Sequence, residues 1–210
     1  MESTSLIELD VEQAVERATT MAAAGRTVLG IAGCPGAGKS TLSSAIAGRV
    51  ASSVIVPMDG FHMLNEDLIR LGRRNRKGAP DTFDVAAYVN QLAKIRAQDR
   101  QPITAPRYDR AASAPVPHAI TILPEVALVI TEGNYLLLNE SPWDTVRPLL
   151  DEVWFVEVAD AVRVPRLIAR HIEFGKSPDE AREWVWRSDE ANAVIVATTR
   201  DRADVVVHVS

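Results

Sequence analysis

The sequence has a single cysteine, Cys34, no long apolar run and no surplus of positive charge. One thiol cannot close an intramolecular disulfide, so covalent staples are excluded and a reducing, cytoplasmic setting is expected. A membrane helix needs roughly 18 consecutive apolar residues, and without such a run no membrane partner is expected. The opening residues MESTSLIELDVEQ lack the basic and apolar regions of a signal peptide. Lys and Arg total 23 against 28 Asp and Glu, a net charge of −5. That balance argues against a broad basic surface, so no nucleic-acid partner is expected. Internal repeats and low-complexity tracts are also missing. What remains is an ordinary globular composition, 47% hydrophobic and 24% charged over 210 residues. One domain over residues 1–210 can bury its own core at that length.

The apolar pattern alternates between short runs and helical periods. Leu6, Ile7, Val11, Ala14, Val15, Ala18 and Met21 follow a 3.6-residue period that predicts a first helix ending before Gly25. Core strands are expected at Thr27–Ala32, Ser53–Pro57, Val126–Thr131, Val153–Val158 and Ala203–Val209. Between them, helices are expected over about 39–51, 84–98, 165–174 and 178–197, with a helical segment near 143–150. Residues 60–83 read as loop and 102–122 as a hairpin-like excursion. Strands alternating with helices predict an α/β, doubly wound fold on a parallel sheet.

Gly33-Cys34-Pro35-Gly36-Ala37-Gly38-Lys39-Ser40 matches G-x-x-x-x-G-K-[ST], and Thr41 follows. An apolar strand precedes it and a helix follows, the context in which backbone amides and a helix N-terminus cradle phosphates. Lys39 would reach the β- and γ-phosphates of ATP and the Ser40 hydroxyl would ligate Mg²⁺. Cys34, inside this loop, reads as a small filler. The loop specifies a nucleotide rather than a reaction. The absence of an N-K-x-D motif and of an L-S-G-G-Q signature counts against GTPases and ABC ATPases.

Asp59 follows the second strand in Met58-Asp59-Gly60-Phe61-His62, at the strand end where open α/β sheets bind ligands. A carboxylate there can accept the proton of an attacking hydroxyl, which makes Asp59 the candidate general base; capping a turn before Gly60 is its structural alternative. His62 is a candidate substrate contact.

The segments GCPGAGKST, MDGFH, RKGAPDTFD, ITAPRYD and VITEGNYLLL, taken in this order, resemble the P-loop kinases that include uridine kinase, phosphoribulokinase and type I pantothenate kinase. Small bacterial nucleoside/nucleotide kinase family proteins, labelled fructose transport system kinases, look most similar. The resemblance implies a five-stranded parallel sheet in the order 2-3-1-4-5, a lid over about 160–187, ATP as donor with Mg²⁺, and Asp59 as base. It also implies Glu132 at the Walker B position, where the third core strand would bring it to the same edge as Ser40. Members range from monomers to tetramers, so a homodimer is compatible.

Arg70, Arg73, Arg74, Arg76 and Lys77 form a basic cluster. By resemblance, Arg76 and Lys77 open the substrate-side segment and Asp84 would bind an acceptor hydroxyl, in competition with capping the helix it precedes. Arg107, Tyr108 and Arg110 lie where relatives place acceptor contacts. Pantothenate kinase has a histidine at the position of Arg110, a departure that argues against pantothenate itself. Arginines there suit a phosphate, a carboxylate or a polyhydroxylated sugar. Arg163, Arg166 and Arg170 share one face if one helix spans them, but Pro165 suggests a start there, with Arg163 in the preceding loop. By resemblance Arg166 and Arg170 belong to the lid and stabilise transferring charge. Of Trp184 and Trp186, one is expected in the core and the other partly exposed. Asn192 and residues 198–203 lie near where relatives hold adenine. The expected activity is phosphorylation of a hydroxyl on a small metabolite, a sugar or nucleoside by preference. The alternatives are a pantothenate kinase-like enzyme, a nucleoside monophosphate kinase, or a nucleotide-binding regulator or transport accessory.

Overall fold

The structure, a computed structural model, describes residues 6–97 and 100–209. Its strands are β1 (Ile7–Leu9), β2 (Thr27–Gly33), β3 (Ser53–Ile55), β4 (Ile103–Asp109), β5 (Ala114–Ile122), β6 (Leu128–Glu132), β7 (Glu152–Glu157) and β8 (Val205–His208). Its helices are α1 (Val11–Ala24), α2 (Lys39–Arg49), α3 (Asn65–Arg70), α4 (Val85–Arg96), α5 (Asp160–Glu173), α6 (Pro178–Trp184) and α7 (Glu190–Ala197), with a π turn over Val185–Asp189 joining the last two.

Six strands form one parallel sheet in the order β1-β8-β7-β2-β6-β3, and β4 and β5 form a separate antiparallel hairpin. The expected order is present within it, but the expectation of five strands is corrected by β1, which pairs with β8 at the edge. The 3.6-residue period places Leu6 and Ile7 in the first helix. Asp10 instead accepts a hydrogen bond from the Gln13 backbone amide while Gln13 Oε1 accepts from that of Asp10, a reciprocal cap that starts α1 at Val11 and frees Ile7–Leu9 to pair.

Residues alternate across the sheet. Val28 and Ala32 of β2 face a core shared with Tyr88 and Leu92 of α4, whereas Leu29 and Ile31 face Ala14 and Ala18 of α1 and Leu42 and Ile46 of α2. Covered on both faces, β2, β6 and β7 are almost wholly buried, as their unbroken apolar runs require.

Two other expectations are corrected. The segment near 143–150 forms two short 3₁₀ turns, and residues 60–83 include α3 as well as short 3₁₀ turns. A third correction concerns α5, which begins at Asp160 with Pro165 inside it. A proline there forfeits one backbone hydrogen bond. Arg163 anchors this first part of α5: its guanidinium bonds Asp160 in the same helix and, from elsewhere in the chain, Glu190 and the carbonyl of Pro35.

Candidate active site

At the carboxyl ends of β2, β3 and β6 the chain leaves a cavity of about 620 Å³. Its position follows from topology, because loops after neighbouring parallel strands diverge where connections leave in opposite directions.

The phosphate-loop wall is built from backbone. Gly36 and Gly38 have φ of 78° and 97°, left-handed values that suit glycine. A Cβ on Gly36 would lie 2.7 Å from Leu167 Cγ and 3.1 Å from the Arg163 carbonyl oxygen, so the loop is seated directly against α5. Gly38 is the N-cap of α2 and supplies no side-chain cap, which leaves the amides of the first turn for an outside acceptor. Pro35, Gly36, Gly38, Lys39, Ser40 and Thr41 line the cavity. Gly33 and Ala37 are buried behind it; a Cβ on Gly33 would meet the Val156 carbonyl at 2.8 Å. The Cys34 thiol is 3.6 Å from the Ala193 carbonyl, and burial pushes its pKa up, which opposes thiolate chemistry.

Lys39 is buried. Its Nζ donates to the carbonyls of Gly33 (2.9 Å) and Cys34 (3.0 Å) and to Asn134 Oδ1 (2.8 Å). Burial pushes the ammonium pKa down, and Glu132 and Asp59 pull it back up. Glu132 is pushed in the other direction, upward, first by burial and then by the charge of Asp59, against the opposing effects of Lys39 and Ser40. The Ser40 hydroxyl donates to Glu132 Oε1 at 3.0 Å. Two neighbouring carboxylates and a hydroxyl are hard oxygen donors. This set fits Mg²⁺, which takes one or two carboxylates plus waters and phosphate oxygens. Among the described residues no group of three or more His, Cys, Asp or Glu could hold a metal ion by itself.

Asp59 lies across the cavity from the loop, in a 3₁₀ turn after β3, and Arg110 Nη2 approaches its Oδ2 at 3.3 Å. His62 Nδ1 is 2.8 Å from the Asp59 carbonyl, which can only accept, so Nδ1 carries the proton. The imidazole packs between Phe83 and Tyr108 at centroid distances of 4.0 and 4.7 Å. Burial lowers its pKa and favours the neutral ring. Lys77 Nζ donates to Asn65 Oδ1 and to the Ser113 carbonyl, both at 2.7 Å, and sits 5.1 Å from the centre of the Tyr108 ring.

The structure thus brings Asp59, His62, Lys77, Tyr108 and Arg110 together, but it places three sequence candidates elsewhere. Arg76 is outside the cavity and holds Asp81 with two nitrogens. Asp84 is exposed and caps α4 by accepting from the Ala87 amide at 2.9 Å. Arg107 borders an adjoining cavity of about 320 Å³ that shares Ser40, Asp59, Tyr108, Arg110 and Glu132 with the large one.

From α5, Arg166 and Arg170 line the cavity while Arg163 is buried beneath them. Arg170 is pushed down in pKa by burial and by Arg110. His171 Nε2 lies 2.7 Å from Asp189 Oδ2, joining α5 to the π turn, a feature frequent at functional sites. Trp184 faces this cavity with Lys176 over its ring, whereas Trp186 is 63% exposed. Asn192 is buried and donates to the Gly78 carbonyl at 3.4 Å.

The main contact not anticipated from sequence is Asn134. Its Oδ1 accepts from Lys39, while the next residue, Tyr135, donates its hydroxyl to the Gly78 carbonyl. Two consecutive residues therefore contact the phosphate-loop lysine and the loop bearing Lys77. The only signal available beforehand was position, two residues after Glu132 on the same strand edge.

Comparisons with known proteins converge. The sequence profile of the phosphoribulokinase/uridine kinase family matches residues 28–210. A provisionally assigned uridine kinase of Schizosaccharomyces pombe is 34% identical over 194 residues, covering 87% of this chain and 83% of that protein. The uridine kinase of Latilactobacillus sakei is 27% identical over 156 residues, 73% of this chain and 71% of the other. Among solved structures, a provisionally assigned fructose transport system kinase from Silicibacter sp. TM1040 superposes with a TM-score of 0.82 at 32% identity, covering 92% of this chain and 95% of that one.

Proposed function

The chain belongs to the phosphoribulokinase/uridine kinase family of P-loop kinases, and from that premise we propose that it transfers the γ-phosphoryl group of ATP to an alcohol hydroxyl of a small metabolite of the sugar or nucleoside class. The observation that carries this reading is a single cavity onto which Lys39, the Ser40–Glu132 pair and the Asp59 carboxylate all open. A family resemblance alone would leave the reaction open; a carboxylate facing the phosphate loop supplies what an alcohol acceptor needs and a phosphate acceptor does not.

Bound magnesium–ATP would supply the transferable phosphoryl group, with the metal neutralising charge between the phosphates. The α2 amides and Lys39 would hold the phosphates, and Ser40 with Glu132 would hold the metal. To do so the Lys39 ammonium exchanges its carbonyl acceptors for phosphate oxygens. Asp59 accepts the hydroxyl proton as the oxygen attacks in line. Arg166 and Arg170 place positive charge over the group in transit and help exclude water. His62 and Tyr108 form an apolar and aromatic wall that orients the acceptor.

The reading is tested by following ADP release with pentoses, hexoses, nucleosides, pantothenate and their phosphates as acceptors, for the native chain and Asp59→Asn. An acceptor-dependent rate is expected, with kcat falling by about 10²- to 10⁴-fold in the variant and the KM for ATP held. Near-native kcat in Asp59→Asn would remove the base. ATP binding without acceptor-dependent turnover would favour a nucleotide-switched regulator instead.

A further inference from the structure

The charge lining the large cavity exceeds what the nucleotide can absorb. Seven Lys and Arg side chains face three carboxylates there, a surplus of four positive charges. Magnesium-bound ATP brings about two net negative charges. The nucleotide can absorb the excess of two at Lys39, Arg166, Arg170 and Lys176 over Glu132 and Asp189; an excess of two remains on the acceptor side, where Arg74, Lys77 and Arg110 meet one carboxylate, that of Asp59.

Lys77 is the most informative of these cations. It is half-buried, and both of its hydrogen-bond acceptors, Asn65 Oδ1 and the Ser113 carbonyl, are neutral. These two bonds and the face of Tyr108 fix the ammonium in place without neutralising it, and one of its three N–H donors is left over. If its purpose were to fasten the hairpin of β4 and β5 to α3, a neutral amide donor would serve without the cost of desolvating a charge. Arg76, one residue earlier, shows the contrasting case: it is engaged by the carboxylate of Asp81. The Lys77 ammonium lies over the Tyr108 ring, that ring packs 4.7 Å from the imidazole of His62, and His62 is hydrogen-bonded to the carbonyl of Asp59, so the ammonium and the candidate base sit on one aromatic wall.

We infer that the acceptor is an anion: besides the hydroxyl presented to Asp59 it carries a carboxylate or phosphate group, which is received by the Lys77 ammonium over the His62–Tyr108 wall. This inference rests on the kinase reading; it restricts the sugar and nucleoside class to members that carry an anionic group and widens the reading to hydroxy acids.

The test uses matched probes that differ in charge: pantothenate against its uncharged alcohol and D-glycerate against glycerol for the carboxylate arm, ribose 5-phosphate against ribose for the phosphate arm. Binding to the full chain loaded with magnesium and a non-hydrolysable ATP analogue is measured by calorimetry for the native protein, Lys77→Gln and Lys77→Arg. At least one anionic probe is expected to bind about ten- to a hundredfold more tightly than its neutral partner. That preference should collapse in Lys77→Gln and persist in part in Lys77→Arg, while affinity for the ATP analogue is unchanged in both. Equal binding within every pair, survival of the preference in Lys77→Gln, or failure of every anionic probe to bind would overturn the inference. If Lys77→Gln does not fold, the native pairs and Lys77→Arg still decide it. Asp59-dependent phosphorylation of neutral acceptors alone would sink this inference and leave the kinase reading standing. Selective anion binding without ADP release would do the reverse.

Discussion

The two walls of the cavity are built from different materials. On the nucleotide side, left-handed glycines, an uncapped helix end and a buried arginine hold the phosphate loop against α5. On the acceptor side, short 3₁₀ turns and a hairpin are tied together by side chains: Lys77 to Asn65 and Ser113, Tyr135 to Gly78, Arg76 to Asp81. Phosphate is common to every nucleotide, and backbone amides recognise it whatever residues flank them. An individual acceptor has its own shape and charge, which only side chains drawn from several segments can match. The contrast explains why one wall announces itself as a contiguous motif and the other does not.

Removing Arg163 should disturb the first wall most. Its guanidinium is buried against Asp160, Glu190 and the Pro35 carbonyl, so Arg163→Ala leaves Glu190 largely buried and unpaired. A loss of about 3–5 kcal/mol in urea unfolding is expected, with weakened ATP binding, while Arg163→Lys recovers part of both. Unchanged stability would mean that the loop is held by packing alone.

A smaller effect is expected where Asn134 and Tyr135 reach the two walls. Tyr135→Phe deletes the hydroxyl that donates to the Gly78 carbonyl, costing about 1 kcal/mol, and should raise the acceptor KM more than the KM for ATP. Equal changes in the two constants would show that the walls are energetically inseparable.

The smallest effect concerns pH and is confined to the acceptor wall. Burial sets the folded-state pKa of His62 below its usual value of 6.5. Below that value the unfolded chain takes up a proton that the folded one resists. The ring's contribution to stability is therefore present above about pH 6.5 and is lost as pH falls through the folded-state value. His62→Asn should flatten the acid limb of the stability profile, read from melting temperatures between pH 5 and 8; an unaltered limb would show that the acid sensitivity lies elsewhere.

Much of the first wall was legible in advance. The Walker loop, the strand before it and the helix after it are local features, and Glu132, which the family resemblance implies, ends an apolar strand, as Asp59 does on the facing side. The acceptor wall was legible only in outline. Arg76, Lys77 and Asp84 belong to one segment, yet only Lys77 lines the cavity, because Arg76 meets Asp81 and Asp84 caps α4. The start of α5 was misplaced because a proline rule acts locally, whereas the contacts of Arg163 with Glu190 and Pro35 come from residues distant in the chain.

The sequence by itself determined the α/β class, the phosphate loop and the residue types available to the chemistry, since periodicity and motif spacing are properties of neighbouring residues. Tertiary structure alone decided that β1 completes the sheet as a sixth strand, that Asn134 meets Lys39 while Tyr135 meets the Gly78 loop, and that the hydrogen-bond acceptors of Lys77 are both neutral. Those facts depend on which distant groups are brought within hydrogen-bond reach, and no local pattern encodes that distance.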